Sequence, residues 1–171
     1  MRKMTPVRAL AAITATTALV AALAPRASAA TATANLTVSA TVTKNCTVST
    51  SALAFGSYDP VVANASANLD GTGAVSVACT RGATATVGLG TGGNASGSTR
   101  RMADGTGNFL NYELYSDSGR SAVWNSGAGT LSLSAAPSRA SRDFTVYGRI
   151  AGNQDVPAGT YGDTVVATVN F

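Results

Sequence analysis

Histidine is missing from all 171 residues. Its absence removes histidine-based triads, histidine zinc sites and the side chain best placed to titrate near neutral pH. Charged residues are scarce at 12%, and aromatics make up 6%; an ordinary domain carries roughly a quarter charged residues. The 45% hydrophobic content is swollen by alanine. No stretch after the leader described next is apolar enough, over the roughly 20 residues required, to cross a bilayer as a helix. The formal charge of +4 is also deceptive, because Arg2, Lys3, Arg8 and Arg26 stand within the first 29 residues without an acid among them. The remaining body balances eight basic against eight acidic residues. It lacks the cationic surplus that displaces counterions from phosphate, so nucleic-acid binding is excluded.

Those first 29 residues read as a secretory leader, with a basic start, an alanine-rich apolar run over 9–24, and Ala27-Ser28-Ala29 as a small-x-small cleavage pattern. The run is too short and too rich in Ala and Thr for a membrane anchor. About 142 residues follow Ala29, the size of one domain. Cys46 and Cys79 are the only two cysteines. In an exported chain a disulfide between them is the economical reading, and a pair of free structural thiols is its rival. A catalytic thiol would have no histidine to activate it.

From Ala32 the small or apolar residues fall on every second position: Ala32, Ala34, Leu36, Val38, Ala40 and Val42, with Thr, Asn and Ser between. Period two with abundant Thr and Val specifies an extended segment with one apolar edge. Eleven such residues would span about 36 Å, longer than a typical strand. Further strands are expected at 74–79, 83–89, 109–115, 129–133, 142–150 and 161–171. Turn residues punctuate them: Asp70-Gly71, Gly92-Gly93, Asp104-Gly105, Ser118-Gly119 and Pro157-Ala158-Gly159. No sustained 3.6-residue stripe is present. Short regular strands, Gly-rich turns and a cysteine pair predict an all-β, immunoglobulin-like antiparallel sandwich.

Chemistry-bearing patterns are weak. Gly88-Leu89-Gly90-Thr91-Gly92-Gly93 satisfies G-x-G-x-x-G, but the Gly/Ser/Asn-rich stretch after it offers no helix to meet a pyrophosphate. Most of the carboxylates, Asp59, Asp70, Asp104, Glu113, Asp117, Asp143, Asp155 and Asp163, adjoin Gly, Pro or Ser, where Asp caps its own turn. No glycosidase pairing is visible, and each Asp-Gly-Thr-Gly turn brings one carboxylate where calcium needs several oxygens. Arg100-Arg101 reads as a solvated loop pair and Trp124 as core or rim packing. No catalytic residue, metal site or small-molecule cofactor is expected, and the chain is not read as an enzyme.

Asn45–Val48 (NCTV), Val77–Thr80 (VACT), Tyr112–Arg120 (YELYSDSGR) and the terminal YGDTVVATVNF together resemble the spore coat protein U domain family, which includes Csu-type pilins of archaic chaperone–usher pili. The likeness covers 30–171. It implies an incomplete sandwich that lacks its last strand, is escorted by a periplasmic chaperone, and is polymerised at an outer-membrane usher with identical or related pilin subunits. The product would be a surface fimbria serving adhesion and biofilm. A spore or cell coat of the same fold in a non-fibrous layer is the alternative. A tip adhesin or lectin would need a further ligand-binding domain.

The expected division is a leader over 1–29, an N-terminal donor strand over 30–42 and the sandwich over 43–171. Ala34, Leu36, Val38, Ala40 and Val42 would enter the groove of the neighbouring subunit by donor-strand complementation. Val165, Ala167, Val169 and Phe171 would form the C-terminal strand that meets the chaperone. The donor is unusually alanine-rich, with one leucine and neither isoleucine nor aromatics.

Overall fold

The computed structural model describes residues 28–171. All but the last two residues of the expected leader lie outside them. The chain divides into two units, one ending at Ser39 and the other running Ala40–Phe171. The described part of the first, 28–39, has no regular secondary structure, and every residue in it is exposed.

The second unit is built from eight antiparallel strands: β1 (Cys46–Ser51), β2 (Leu69–Cys79), β3 (Ala85–Leu89), β4 (Arg100–Ala103), β5 (Phe109–Tyr115), β6 (Leu131–Leu133), β7 (Arg142–Ile150) and β8 (Ala167–Asn170). They form a five-stranded sheet in the order β1-β2-β7-β5-β4 and a three-stranded sheet in the order β6-β3-β8. The described residues contain no helix. One core joins the sheets: Val75, Val77, Leu114, Val146 and Ile150 come from the first and Val87, Leu89 and Leu133 from the second, with Trp124 wholly buried. On β7 the inward set Val146, Gly148 and Ile150 alternates with more exposed neighbours, the period-two pattern that makes VYGRI a strand.

Cys46 and Cys79 are cross-strand partners in the β1–β2 register and are disulfide-bonded. Closing the 33-residue separation contributes about 3 to 4 kcal/mol in the chain-entropy model.

β5 and β7 coincide with the expected strands, while β3 and β6 begin two residues later than expected. Three expectations are corrected. Asp70-Gly71 is not a turn but lies within β2, because Asp70 forms a bidentate pair with Arg149 across the ladder and Gly71 faces Gly148. Arg100-Arg101 is not a solvated loop pair but opens β4, with Arg100 2% exposed. The expected strand 161–171 is regular only over β8. Upstream, Gly162 pairs with Ala103 at the end of β4, and then the Thr164 and Val166 carbonyls accept from Gly93 and Gly90 beyond β3. The terminal segment thus binds one sheet and then the other.

Candidate functional site

β1 is the margin of one sheet and β8 the margin of the other. The two strands lie beside each other, yet neither pairs with the other. Each therefore keeps an outer row of backbone groups with no strand partner, an edge that another strand can join. Between the continuation of β1 and the approach to β8 opens a cavity of about 370 Å³. Its walls are Thr50–Leu53 and Phe55 on one side and Tyr161–Val165 with Ala167 on the other, and Val75, Leu89, Met102, Tyr112, Leu114 and Val146 close it inward. A second cavity of about 810 Å³ shares Leu53, Phe55, Met102 and Tyr161 with the first and reaches Pro60, Val61 and 156–160. The result is a long, mostly apolar trough.

Of the expected C-terminal contact residues, Val165, Ala167 and Val169 are half-buried and pack against the core, while Phe171 is 51% exposed. All five expected donor residues, Ala34, Leu36, Val38, Ala40 and Val42, are exposed, Leu36 at 87%, Val38 at 84% and Val42 at 83%. Sequence does not single out Leu53, Phe55 and Met102, and Tyr112 enters only as the first residue of the YELYSDSGR motif. The alternation in Leu53-Ala54-Phe55 was the signal available for the first two.

A carboxylate fixes the upper lip of the trough. Asp163 Oδ1 accepts from the backbone N–H of Gly93 (2.9 Å) and Asn94 (3.2 Å), and Oδ2 accepts from the Tyr112 hydroxyl (2.6 Å). Gly92 sits at φ +92, and any Cβ there would run into the Asp163 carboxylate. The glycine run that mimics a nucleotide fingerprint therefore does cradle an anion, but one supplied by the chain itself.

Inside, Arg100 donates to the carbonyls of Leu89 (3.0 Å), Gly90 (2.8 Å) and Trp124 (2.8 Å) and pairs with Glu113. Trp124 Nε1 in turn donates to the Val87 carbonyl at 2.8 Å. This network ties β4 and β5 to β3 behind the trough. Among the described residues no cluster of ligating side chains could hold a metal ion.

The electrostatics set a pH window. Burial first, then the hydrogen bond to Asp163, push the Tyr112 phenol above its ordinary value. Its stabilising contribution is present below the unfolded phenol pKa of about 10 and is lost as pH rises beyond it. Asp70 is held low by Arg149 and Asp104 by the Asn108 and Thr106 side chains; the backbone N–H groups of Val62 and Ala122 lead the lowering of Asp59 and Asp117. Their contribution is present above about pH 4 and lost as pH falls through the lowered values. With no histidine to titrate, the urea midpoint should stay flat from about pH 5 to 9 and decline on either side. Tyr112→Phe should shrink the alkaline decline; an unchanged slope between about pH 9 and 11 would contradict this role of Tyr112.

A family model described as the Spore Coat Protein U domain matches residues 32–168. Protein U of Myxococcus xanthus is 44% identical over 180 aligned residues, covering 95% of this chain and 97% of that protein. Among solved structures, this chain resembles a chain of the chaperone–tip adhesion subunit pre-assembly complex from the archaic chaperone–usher Csu pili of Acinetobacter baumannii. That match has 26% identity and a TM-score of 0.56 over 77% of this chain, and spans 41% of the other. On the extent of the family match and the identity to Protein U, the chain belongs to the spore coat protein U domain family.

Proposed function

We propose that the chain is a non-catalytic structural subunit of a surface fibre, built by a chaperone–usher route, in which residues 32–42 of one molecule complete the trough of the next. On this reading 1–29 is a leader removed on export to the periplasm, 30–42 is the donor and 43–171 is an immunoglobulin-like sandwich one strand short. The observation that carries it is the pairing of two features in one chain: two neighbouring strand edges without strand partners, and an alternating apolar segment whose side chains are exposed. The likeness to a subunit complex of Csu pili supports a chaperone and related pilins as partners.

The energetics are adequate. Burying Leu36, Val38 and Val42 contributes about 1.5 to 3 kcal/mol each. Main-chain hydrogen bonds along the segment add about 0.5 to 1.5 kcal/mol apiece, before the cost of ordering. The contact is head-to-tail and does not close on itself, the geometry that generates filaments.

Deleting 30–40 should leave a subunit that still co-purifies with its chaperone yet forms no polymer ladder. A normal ladder from the deletion would overturn the donor assignment. The family description and the resemblance to Protein U favour a second reading, a coat layer of the same fold. Immunogold electron microscopy of the cell surface separates them, as filaments in one case and a continuous layer in the other.

A further inference from the structure

The inner face of the five-stranded sheet has a hollow. Gly71 on β2 stands opposite Gly148 on β7, and Gly73 follows two positions along β2. Leu53 and Phe55, on the stretch after β1, fill this hollow. A Cβ at Gly148 would fall 2.7 Å from Phe55 Cζ and 2.8 Å from Leu53 Cδ1; one at Gly73 would fall 2.9 Å from Leu53 Cβ. The two side chains rest on bare backbone, and Phe55 meets the ring of Tyr112 edge-on at 6.2 Å between centroids. Both also line the two cavities. Over Gly71, Gly73 and Gly148 the depth of the trough is therefore set by these two side chains, while Val75, Leu89, Leu114 and Val146 close it elsewhere.

Where a donor strand crosses Leu53 and Phe55, these side chains take up depth that the glycines would otherwise leave open. The alternating positions of residues 32–42 carry alanine at 32, 34 and 40 and only one side chain as large as leucine. We infer that Leu53 and Phe55 determine which donor strand the trough accepts, and that they select small side chains, so that its preferred occupant is residues 32–42 of a second copy of this chain. The inference rests on the donor-strand reading above and adds its specificity. The physical reason is that an over-large side chain entering a close-packed site forces its neighbours off their preferred rotamers, whereas a small one leaves the floor as it is.

The test uses the chain from Ala30 to Phe171, refolded from urea with labelled synthetic peptides spanning 30–44 and followed by fluorescence anisotropy. The unsubstituted chain should bind the native-sequence peptide about tenfold more tightly than at least one of the Ala34→Leu and Ala40→Leu peptides. In Phe55→Ala or Leu53→Ala chains that preference should fall to about threefold or less, because the floor is lowered toward the glycines. Equal binding of native and leucine peptides by the unsubstituted chain overturns the proposal without needing either variant to fold. A preference that persists undiminished in both folded variants overturns it as well. Failure of the native-sequence peptide to bind at all is a different result, because it removes the donor-strand reading together with its specificity.

Discussion

Arg100→Met should destabilise the domain by about 3 to 5 kcal/mol, because three carbonyls each lose a charged donor at about 1 to 3 kcal/mol apiece when left unsatisfied. The side chain is 2% exposed and donates to three carbonyls from two separate segments as well as to Glu113. Methionine fills much of the volume but donates nothing, so the carbonyls of Leu89, Gly90 and Trp124 lose their side-chain donor and Glu113 its cation. Arg100→Lys should recover only part of the loss, because one ammonium cannot reproduce a planar fork aimed at three acceptors and a carboxylate. The sole tryptophan, wholly buried and touching this network, is the natural reporter for urea unfolding. A loss below about 1 kcal/mol for Arg100→Met would show that the network is dispensable.

Leu36→Asp and Val38→Asp should each abolish polymer formation, while Thr37→Asp should be tolerated. The difference follows from the pleat: side chains at even positions would enter the trough and those at odd positions would face solvent. An unpaired carboxylate carried into an apolar trough costs several kcal/mol, enough to cancel the burial expected from Leu36 and Val38 together. All three substitutions add the same charge to the same exposed segment, so general effects on export or solubility would act on all alike. Polymer ladders of parental intensity from both Leu36→Asp and Val38→Asp would remove the donor segment from the account. Equal loss in all three would show that charge, not facing, is what matters.

How much could be read in advance depended on where apolar residues sat. β5 and β7 are legible to the residue because large apolar side chains recur at every second position, Leu110, Tyr112 and Leu114 in one and Phe144 and Val146 in the other, between glycine- and serine-rich flanks. β4 is not, because its inward position is held by a guanidinium, and a pattern that expects an apolar residue there registers a charged loop. The start of β2 is hidden for the opposite reason. Asp70-Gly71 has turn chemistry, and only the partners across the ladder, Arg149 and Gly148, make it strand. The terminal segment shows period two throughout, and its inward residues do face the core, but periodicity cannot reveal that Gly162 and Val166 bind different sheets. The role of Asp163 is not legible within its expected strand, because its partners, Gly93, Asn94 and Tyr112, lie more than 50 residues away in the chain. The family resemblance implies an open groove, but it does not point to the floor. Leu53 and Phe55 matter through three glycines on two other strands, a relation that exists only after folding.

The staple between Cys46 and Cys79 joins the first residue of β1 to the last of β2, a few residues beyond Val42. If residues 32–42 join neighbouring subunits as proposed, tension would enter the body at this point. The covalent link would pass it into β2, whose ladder with β7 runs from Leu69 to Val77, without relying on the hydrogen bonds of β1 alone. β1 cannot be unzipped from its leading end while the sulfur bridge holds. A fibre of such subunits would resist a steady pull through the sulfur bridge, and a reducing agent would weaken it under force well before it loosened the subunit at rest.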